Sequence, residues 1–218
     1  MNERERRDAA VEGLATGLLV LAVVGSGIMA ERLADGNLAL ALLANALATG
    51  GALFGLITVF APLSGAHLNP VVTLSALARG RIATRPALLY VAAQVGGGLA
   101  GVALANGLFG EPWLAASHGQ RAGLDLFASE VVATFALVLL VAGLADRSAA
   151  VAGAVVGAWI MGAYWFTSST SFANPAVTIA RAWTDTFTGI RPADVPAFLA
   201  AQALGGGIAT LVARRWFP

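Results

Sequence analysis

Long runs of apolar residues, separated by short polar segments, dominate the chain. Six runs are long enough for a helix to cross a bilayer core, which takes about 20 residues or roughly 30 Å. These runs cover residues 10–30, 38–60, 87–109, 125–145, 149–170 and 194–213. The pattern predicts an all-α integral membrane protein with six transmembrane helices.

The first run follows the charged segment MNERERR, so a secretory signal peptide is the alternative interpretation. Its apolar core is longer than the core of such a signal. No Ala-x-Ala cleavage site leads from it into a polar mature domain. The first run is therefore predicted to be a membrane span.

Two further apolar segments are too short to cross a membrane. They cover residues 69–78 (NPVVTLSALA) and 174–183 (NPAVTIARAW). A helix of this length reaches about 15 Å, roughly half of a bilayer core. Short apolar segments with Gly or Pro, at matching places in two halves of a chain, indicate a site near the bilayer midplane. The sequence thus predicts two re-entrant half-helices.

Both halves of the chain carry the same ordered landmarks. A glutamate opens the first and the fourth run (Glu12 and Glu130), and an Asn-Pro pair follows two runs later. Each copy then has an Arg-Pro pair and an AAQ segment with three glycines. Three spans in each copy invert the second copy relative to the first. The sequence predicts one domain over residues 1–218, with inverted 3+3 repeats at about 9–110 and 125–216.

Arginine placement predicts the orientation. With six spans both termini lie on one side, and nine of the thirteen arginines fall on that side. Positive residues accumulate in cytoplasmic loops. We therefore expect a multi-pass protein of the inner, cytoplasmic membrane with both termini in the cytoplasm.

The two Asn-Pro pairs, Asn69-Pro70 and Asn174-Pro175, are the strongest candidates for a functional site. Asparagine is a favoured helix N-cap, and proline fits the first helical position. Each half-helix would present a partial positive charge at its N-terminus near the membrane centre. Two such ends disfavour cations and donate hydrogen bonds to hydroxyl oxygens. A turn would explain one Asn-Pro pair, but two equivalent pairs predict a path for a neutral polar solute.

Composition excludes several other functions. Charged residues make up 11% of the chain and the net charge is +1, so no broad basic face for nucleic acid exists. The absence of cysteine excludes disulfides, thiolate metal sites and cysteine catalysis. His67 and His118 lack metal-ligand spacing. No nucleophile–base pair lies in the spans. We expect no cofactor, no metal and no enzymatic activity.

The segments SGAHLNPVVTL and SFANPAVTIA resemble the paired Asn-Pro-Ala signatures of the major intrinsic protein family, the aquaporins and aquaglyceroporins. The resemblance covers nearly the whole chain. It implies a homotetramer with a pore for small neutral solutes in each subunit. The first signature departs from the family pattern, because Val71 replaces alanine and is expected to add bulk near the lumen. The implied motif residues are Asn69, Pro70, Val71, Asn174, Pro175 and Ala176.

The family usually has an arginine directly after the second motif, where it helps to form the narrowest constriction. This sequence has Val177 there. Counting along the family pattern adds Thr49, Gly162 and Ser171, so all four implied filter residues are small. The resemblance predicts a wide, uncharged filter. An ordinary water-selective aquaporin is the alternative.

Valine at this position, together with the stretch NPAVTIARAW, is similar to a bacterial subgroup associated with arsenic resistance. That similarity implies arsenous acid and methylated arsenicals as permeants, with glycerol and water also passing.

Four further residues have two interpretations each. Arg181 lies four residues after Val177 and either lines the outer vestibule or, as favoured here, snorkels or pairs with Asp185. The family resemblance makes Glu12 and Glu130 structural supports for the loops before the half-helices. A proton relay in an ion-coupled secondary transporter is the alternative. His67 is expected to anchor the cytoplasmic loop or line the inner mouth.

Overall fold

A computed structural model describes residues 2–217. The described residues form eight α-helices and one 3-10 turn. The α-helices are α1 (Glu3–Leu33), α2 (Leu38–Ser64), α3 (Pro70–Ala78), α4 (Thr84–Leu108), α5 (Leu124–Gly143), α6 (Ala149–Phe166), α7 (Pro175–Arg181) and α8 (Val195–Trp216), and the 3-10 turn, Pro192–Asp194, precedes α8.

The six predicted spans are confirmed. Helices α1, α2, α4, α5, α6 and α8, the last with its preceding turn, are long and apolar enough to cross a membrane. The remaining two, α3 and α7, have nine and seven residues and are the predicted half-helices. Helix α7 ends at Arg181, two residues before the predicted end. The all-α fold class is confirmed.

The long helices pack through close backbone contacts that glycines make possible. Helix α1 packs along α4, and α5 packs along α8. A Cβ atom on Gly97 or Gly101 of α4 would overlap the carbonyl oxygen of Gly13 or Gly17 in α1. A Cβ on Gly205 of α8 would overlap the Val131 carbonyl of α5. Small residues at these crossings let helix backbones approach closely, as packing in a membrane favours.

The expectation that Val71 adds bulk near the lumen is wrong. The valine packs outward against α8, where a Cβ on Gly206 would overlap its Cγ1 methyl group. It belongs to a buried cluster with Val138 and Ala209. The missing side chain of Gly206 leaves room for the larger residue, so Val71 fills space between helices and is not among the residues that line the pore cavity.

This packing predicts that Gly206→Ala destabilises the protein and that Val71→Ala suppresses the defect. Overpacking a core costs about 1–3 kcal/mol, and the pair should couple strongly in a double-mutant cycle. The thermal midpoint of the detergent-solubilised protein measures the effect. Gly207→Ala is the matched control, because nothing lies within 4 Å of a Cβ there. Equal losses in the single Gly206→Ala and double variants would contradict the pairing.

Candidate pore and filter

Asparagine side chains cap both half-helices. The Asn69 side-chain oxygen accepts from the backbone N–H of Val71 at 3.0 Å. The Asn174 oxygen accepts from the N–H groups of Ala176 and Val177 at 3.0 and 3.3 Å. Pro70 and Pro175 each occupy the first helical positions, where the missing N–H costs nothing. The predicted N-caps are present in the structure.

The same asparagines join the two half-helices to each other. Asn69 Nδ2 donates to the carbonyl of Ala173 at 2.8 Å, and Asn174 Nδ2 donates to the carbonyl of Leu68 at 2.7 Å. One hydrogen of each side-chain amide is therefore committed to the loop before the opposite half-helix. Since an amide nitrogen carries two hydrogens, each asparagine retains one. Both asparagines line the pore cavity described below.

Glu12 fastens the loop before α3. Its Oε1 accepts from the hydroxyl of Ser64 at 2.7 Å and the backbone N–H of His67 at 2.9 Å. Its Oε2 accepts from the N–H of Leu68 at 2.7 Å and from Nε2 of Gln94 at 2.8 Å. The glutamate is fully buried. Four donors on one carboxylate make it an anchor for an otherwise irregular loop.

Glu130 repeats the arrangement before α7. Its Oε1 accepts from the hydroxyl of Ser169 at 2.7 Å and the N–H of Phe172 at 2.8 Å. Its Oε2 accepts from the N–H of Ala173 at 2.9 Å and from Nε2 of Gln202 at 2.7 Å. The two carboxylates thus have matched partners. Their functional role as supports stays a prediction.

His67 contacts both the loop and the inner mouth. Its backbone is held by Glu12, its Nδ1 lies 3.1 Å from Thr73 Oγ1, and its ring packs edge-on against Tyr90 at 5.5 Å. The histidine borders the pore cavity and a larger vestibule of about 440 Å³ on the side that is predicted to be the inner one. Arg79, Arg81 and Arg147 line that vestibule. The structure therefore combines the two positions expected for His67.

The pore cavity lies beside the paired asparagines and has a volume of about 90 Å³. One part of its wall is apolar and includes Leu19, Val23 and Ile160. Thr49 and Ser171 supply hydroxyl groups elsewhere on the wall. This mixture suits a solute that carries both hydroxyl groups and apolar surface, because such walls orient a ligand through few polar contacts.

Three of the four predicted filter residues, Thr49, Ser171 and Val177, line this cavity. The fourth assignment is wrong: Gly162 is exposed on the outside of α6, and a Cβ there would meet only the Phe166 ring, at 3.6 Å. Successive helical residues are 100° apart, so a residue two positions from the pore face points away from the pore. The count back from Asn174 therefore indicates a position two residues before Tyr164, the α6 residue that lines the cavity.

Tyr164 takes the place that Gly162 was expected to hold. Its hydroxyl lies 3.2 Å from Thr49 Oγ1 across the cavity. Val156, Ile160 and Tyr164 follow each other at intervals of four and all line the cavity. That helical periodicity was the available signal in the sequence. The cavity lining therefore includes an aromatic residue, and the expectation of four small residues there is wrong.

Arg181 also lines the cavity and is 3% exposed. Its Nε donates to the Thr188 carbonyl, and its guanidinium carbon lies 3.4 Å from the centroid of the Phe172 ring. The predicted snorkelling and the predicted pair with Asp185 are wrong. An i, i+4 pair requires a continuous helix, and α7 ends at Arg181. The expectation of an uncharged lining is also wrong, because the Arg181 side chain forms part of the cavity wall.

Asp185 pairs with His118, which lies in the loop between α4 and α5. The carboxylate accepts from the His118 backbone N–H at 2.8 Å and lies 2.9 Å from its Nδ1. The backbone hydrogen bond, with the side-chain contact, holds the pKa of Asp185 below its usual value. The His118 side chain is 89% exposed, as expected for a loop histidine.

An all-helical membrane protein whose two half-helices meet at capped asparagines is a pore-forming channel for small solutes. The family model described as major intrinsic protein matches residues 2–171. The chain belongs to the major intrinsic protein family.

Individual relatives extend the match over nearly the whole chain. The chain is 50% identical over 211 residues to aquaglyceroporin AqpS of Rhizobium meliloti (strain 1021), covering 96% of this chain and 89% of the relative. It is 30% identical over 226 residues to aquaporin TIP1-1 of Arabidopsis thaliana, covering 96% and 86%. The structure of the aquaglyceroporin from Plasmodium falciparum superimposes with a TM-score of 0.77 at 21% identity, covering 97% and 96%. That last similarity supports the fold alone.

Proposed function

We propose that this protein is a passive channel for small uncharged solutes, conducting water, glycerol, arsenous acid and methylated arsenicals. The observation that carries the proposal is Val177, whose buried side chain lines the cavity where the family usually has arginine. A valine leaves more room than a guanidinium at that point of the wall. Arsenous acid and glycerol are neutral molecules with three hydroxyl groups each, so the same mixed wall suits both.

Other features of the proposal follow from the family resemblance, which implies the homotetramer, and from the sequence pattern, which predicts the orientation and the repeats. The channel is a homotetramer of the inner membrane with cytoplasmic termini, and its inverted repeats span about 9–110 and 125–216. The arginines of the inner vestibule, Arg79, Arg81 and Arg147, support that orientation, because positive residues favour the cytoplasmic side. The similarity to a protein named as an aquaglyceroporin supports permeants larger than water.

An ion-coupled transporter is the weaker alternative. It would need a carboxylate that gains and loses protons during transport. Glu12 and Glu130 each accept four hydrogen bonds, from a serine hydroxyl, two backbone N–H groups and a glutamine amide, so every one of these contacts belongs to the loop or to a neighbouring helix. These contacts favour a static support. Flux that saturates and depends on an ion gradient would support the transporter instead.

The test is light-scattering flux of water, glycerol and arsenous acid in proteoliposomes. We expect the wild type to pass all three. We expect Val177→Arg to lose glycerol and arsenous acid flux by about tenfold or more while retaining water flux, because a barrier change of about 1.4 kcal/mol gives a tenfold change in rate. Val177→Met lengthens the side chain without adding a charge, so it separates the effect of side-chain size from the effect of positive charge. A wild type that passes water alone would contradict the proposal.

A further inference from the structure

Arg181 is a buried cation without an ionic partner. Its side chain forms no ion pair with any carboxylate within residues 2–217. Asp185, the nearest acidic residue in sequence, is engaged by His118 instead. Burying an uncompensated charge within a membrane protein is costly, and such residues mark functional sites.

The guanidinium is held in place by groups that do not neutralise it. The ring of Phe172 supports it at 3.4 Å, and the Thr188 carbonyl accepts from Nε. Phe172 is itself fixed, since its N–H donates to Glu130 at 2.8 Å and its ring packs edge-on against Phe198 at 5.0 Å. The stacked aromatic ring and the carbonyl orient the cation while leaving its full positive charge in place.

Unused hydrogen-bonding groups face the same cavity. Within the described chain, Nε is the one nitrogen of Arg181 with a hydrogen-bond acceptor, so the two terminal amino groups retain their donors. The hydroxyl of Ser171 is buried and has no partner there either. Both residues line the cavity with Val177. A passing solute can therefore exchange hydrogen bonds with water for hydrogen bonds to the terminal amino groups of Arg181.

A second guanidinium reinforces the positive charge. The guanidinium carbon of Arg121 lies 5.0 Å from the centroid of the Phe172 ring. Its Nε donates to the Gly189 carbonyl and its backbone N–H to Asp194, both at 2.8 Å. Two arginines thus converge on one phenylalanine at the outer end of the pore.

We propose that Arg181, seated on Phe172, supplies the positive charge of the filter in place of an arginine directly after the second Asn-Pro motif. This inference rests on the proposed channel function. The charge lies one helical turn beyond Val177, so the pore is wider at Val177 and still repels cations and protons at Arg181. A charge in a low-dielectric wall is screened little and acts strongly on an entering ion. Neutral solutes feel no such barrier.

The test is Arg181→Gln in proteoliposomes, assayed for glycerol flux by light scattering and for sodium and proton leak with ion-sensitive dyes. We expect glycerol flux to persist and the cation leak to rise on the order of 100-fold, as the loss of a nearby weakly screened charge implies. Arg32→Gln removes a charge that is paired with Glu111 outside the pore and is the matched control.

Moving the charge gives a second, independent test. The double variant Val177→Arg, Arg181→Gln should exclude cations again, because the guanidinium returns to the pore from the neighbouring turn. Phe172→Leu should also raise the cation leak, since the Arg181 guanidinium loses the ring on which it is stacked. This variant tests the proposal if Arg181→Gln does not fold. A variant without Arg181 or without Phe172 that passes glycerol and shows no increase in sodium or proton leak would overturn the filter proposal. A wild type without solute flux would overturn the channel function instead.

Discussion

Adding one methyl group at Gly101 is expected to destabilise the protein severely, whereas the same group at Gly96 should have no adverse effect. A Cβ on Gly101 would overlap the carbonyl oxygen of Gly17 and lie 2.9 Å from its carbonyl carbon. These are backbone atoms, so no side chain can rotate away and α1 must separate from α4. At Gly96 nothing lies within 4 Å of a Cβ.

The expected cost of Gly101→Ala is about 3 kcal/mol or more, at the upper end of overpacking. That is a large share of a total stability of about 5–15 kcal/mol. Alanine also gains about 1 kcal/mol of helix propensity over glycine, so Gly96→Ala should be neutral or slightly stabilising. Thermal midpoints and the yield of monodisperse protein in detergent measure both variants. Equal stability of the two would contradict a direct backbone contact between α1 and α4.

Replacing Glu130 by glutamine is expected to disorder the loop before α7 and abolish flux. The glutamine side chain has one accepting oxygen, and its NH2 group would face N–H or O–H groups that now donate to Glu130. Two of the four donors that Glu130 satisfies would then lack an acceptor. Each buried unpaired donor costs about 1–3 kcal/mol, so the total is about 2–6 kcal/mol.

Hydrogen exchange of residues 168–174, measured together with glycerol flux, tests this prediction. The control is Asp125→Asn, an exposed carboxylate in the first turn of the same helix, where the change should cost only a few tenths of a kcal/mol. Wild-type protection and flux in Glu130→Gln would contradict the supporting role. Intact solute flux with loss of proton coupling would favour the transporter.

The sequence predicts the features that depend on local composition or on repetition. A membrane span requires a long apolar run, and each of the six runs coincides, except for up to four residues at its end, with a helix that meets that requirement. The half-helices were predictable because two Asn-Pro pairs occur at equivalent places. A glutamate within an apolar run is costly unless it has partners, so the sequence alone identifies Glu12 and Glu130 as candidate functional or structural residues.

The errors at the pore arise from features that a local pattern does not contain. The position of Gly162 depends on the register of α6 relative to α7, which the length of the connecting loop sets. Val71 is explained by the absence of a side chain at Gly206, which is distant in sequence. Arg181 was assigned to the wrong environment because α7 ends one turn earlier than an i, i+4 pair needs.

The hydrogen bonds exchanged between the half-helices impose an order on the synthesis of the chain. The partner of the Asn69 amide, the Ala173 carbonyl, lies 104 residues later in the chain. The partner of the Leu68 carbonyl, Asn174, lies 106 residues later. At a translation rate of about 5–20 residues per second, that interval lasts roughly 5–20 s. During it the nascent first half exposes an unpaired amide and an unpaired carbonyl that lipid cannot satisfy. We therefore expect the first half-helix to reach its final position in the membrane only after the second half-helix has been synthesised.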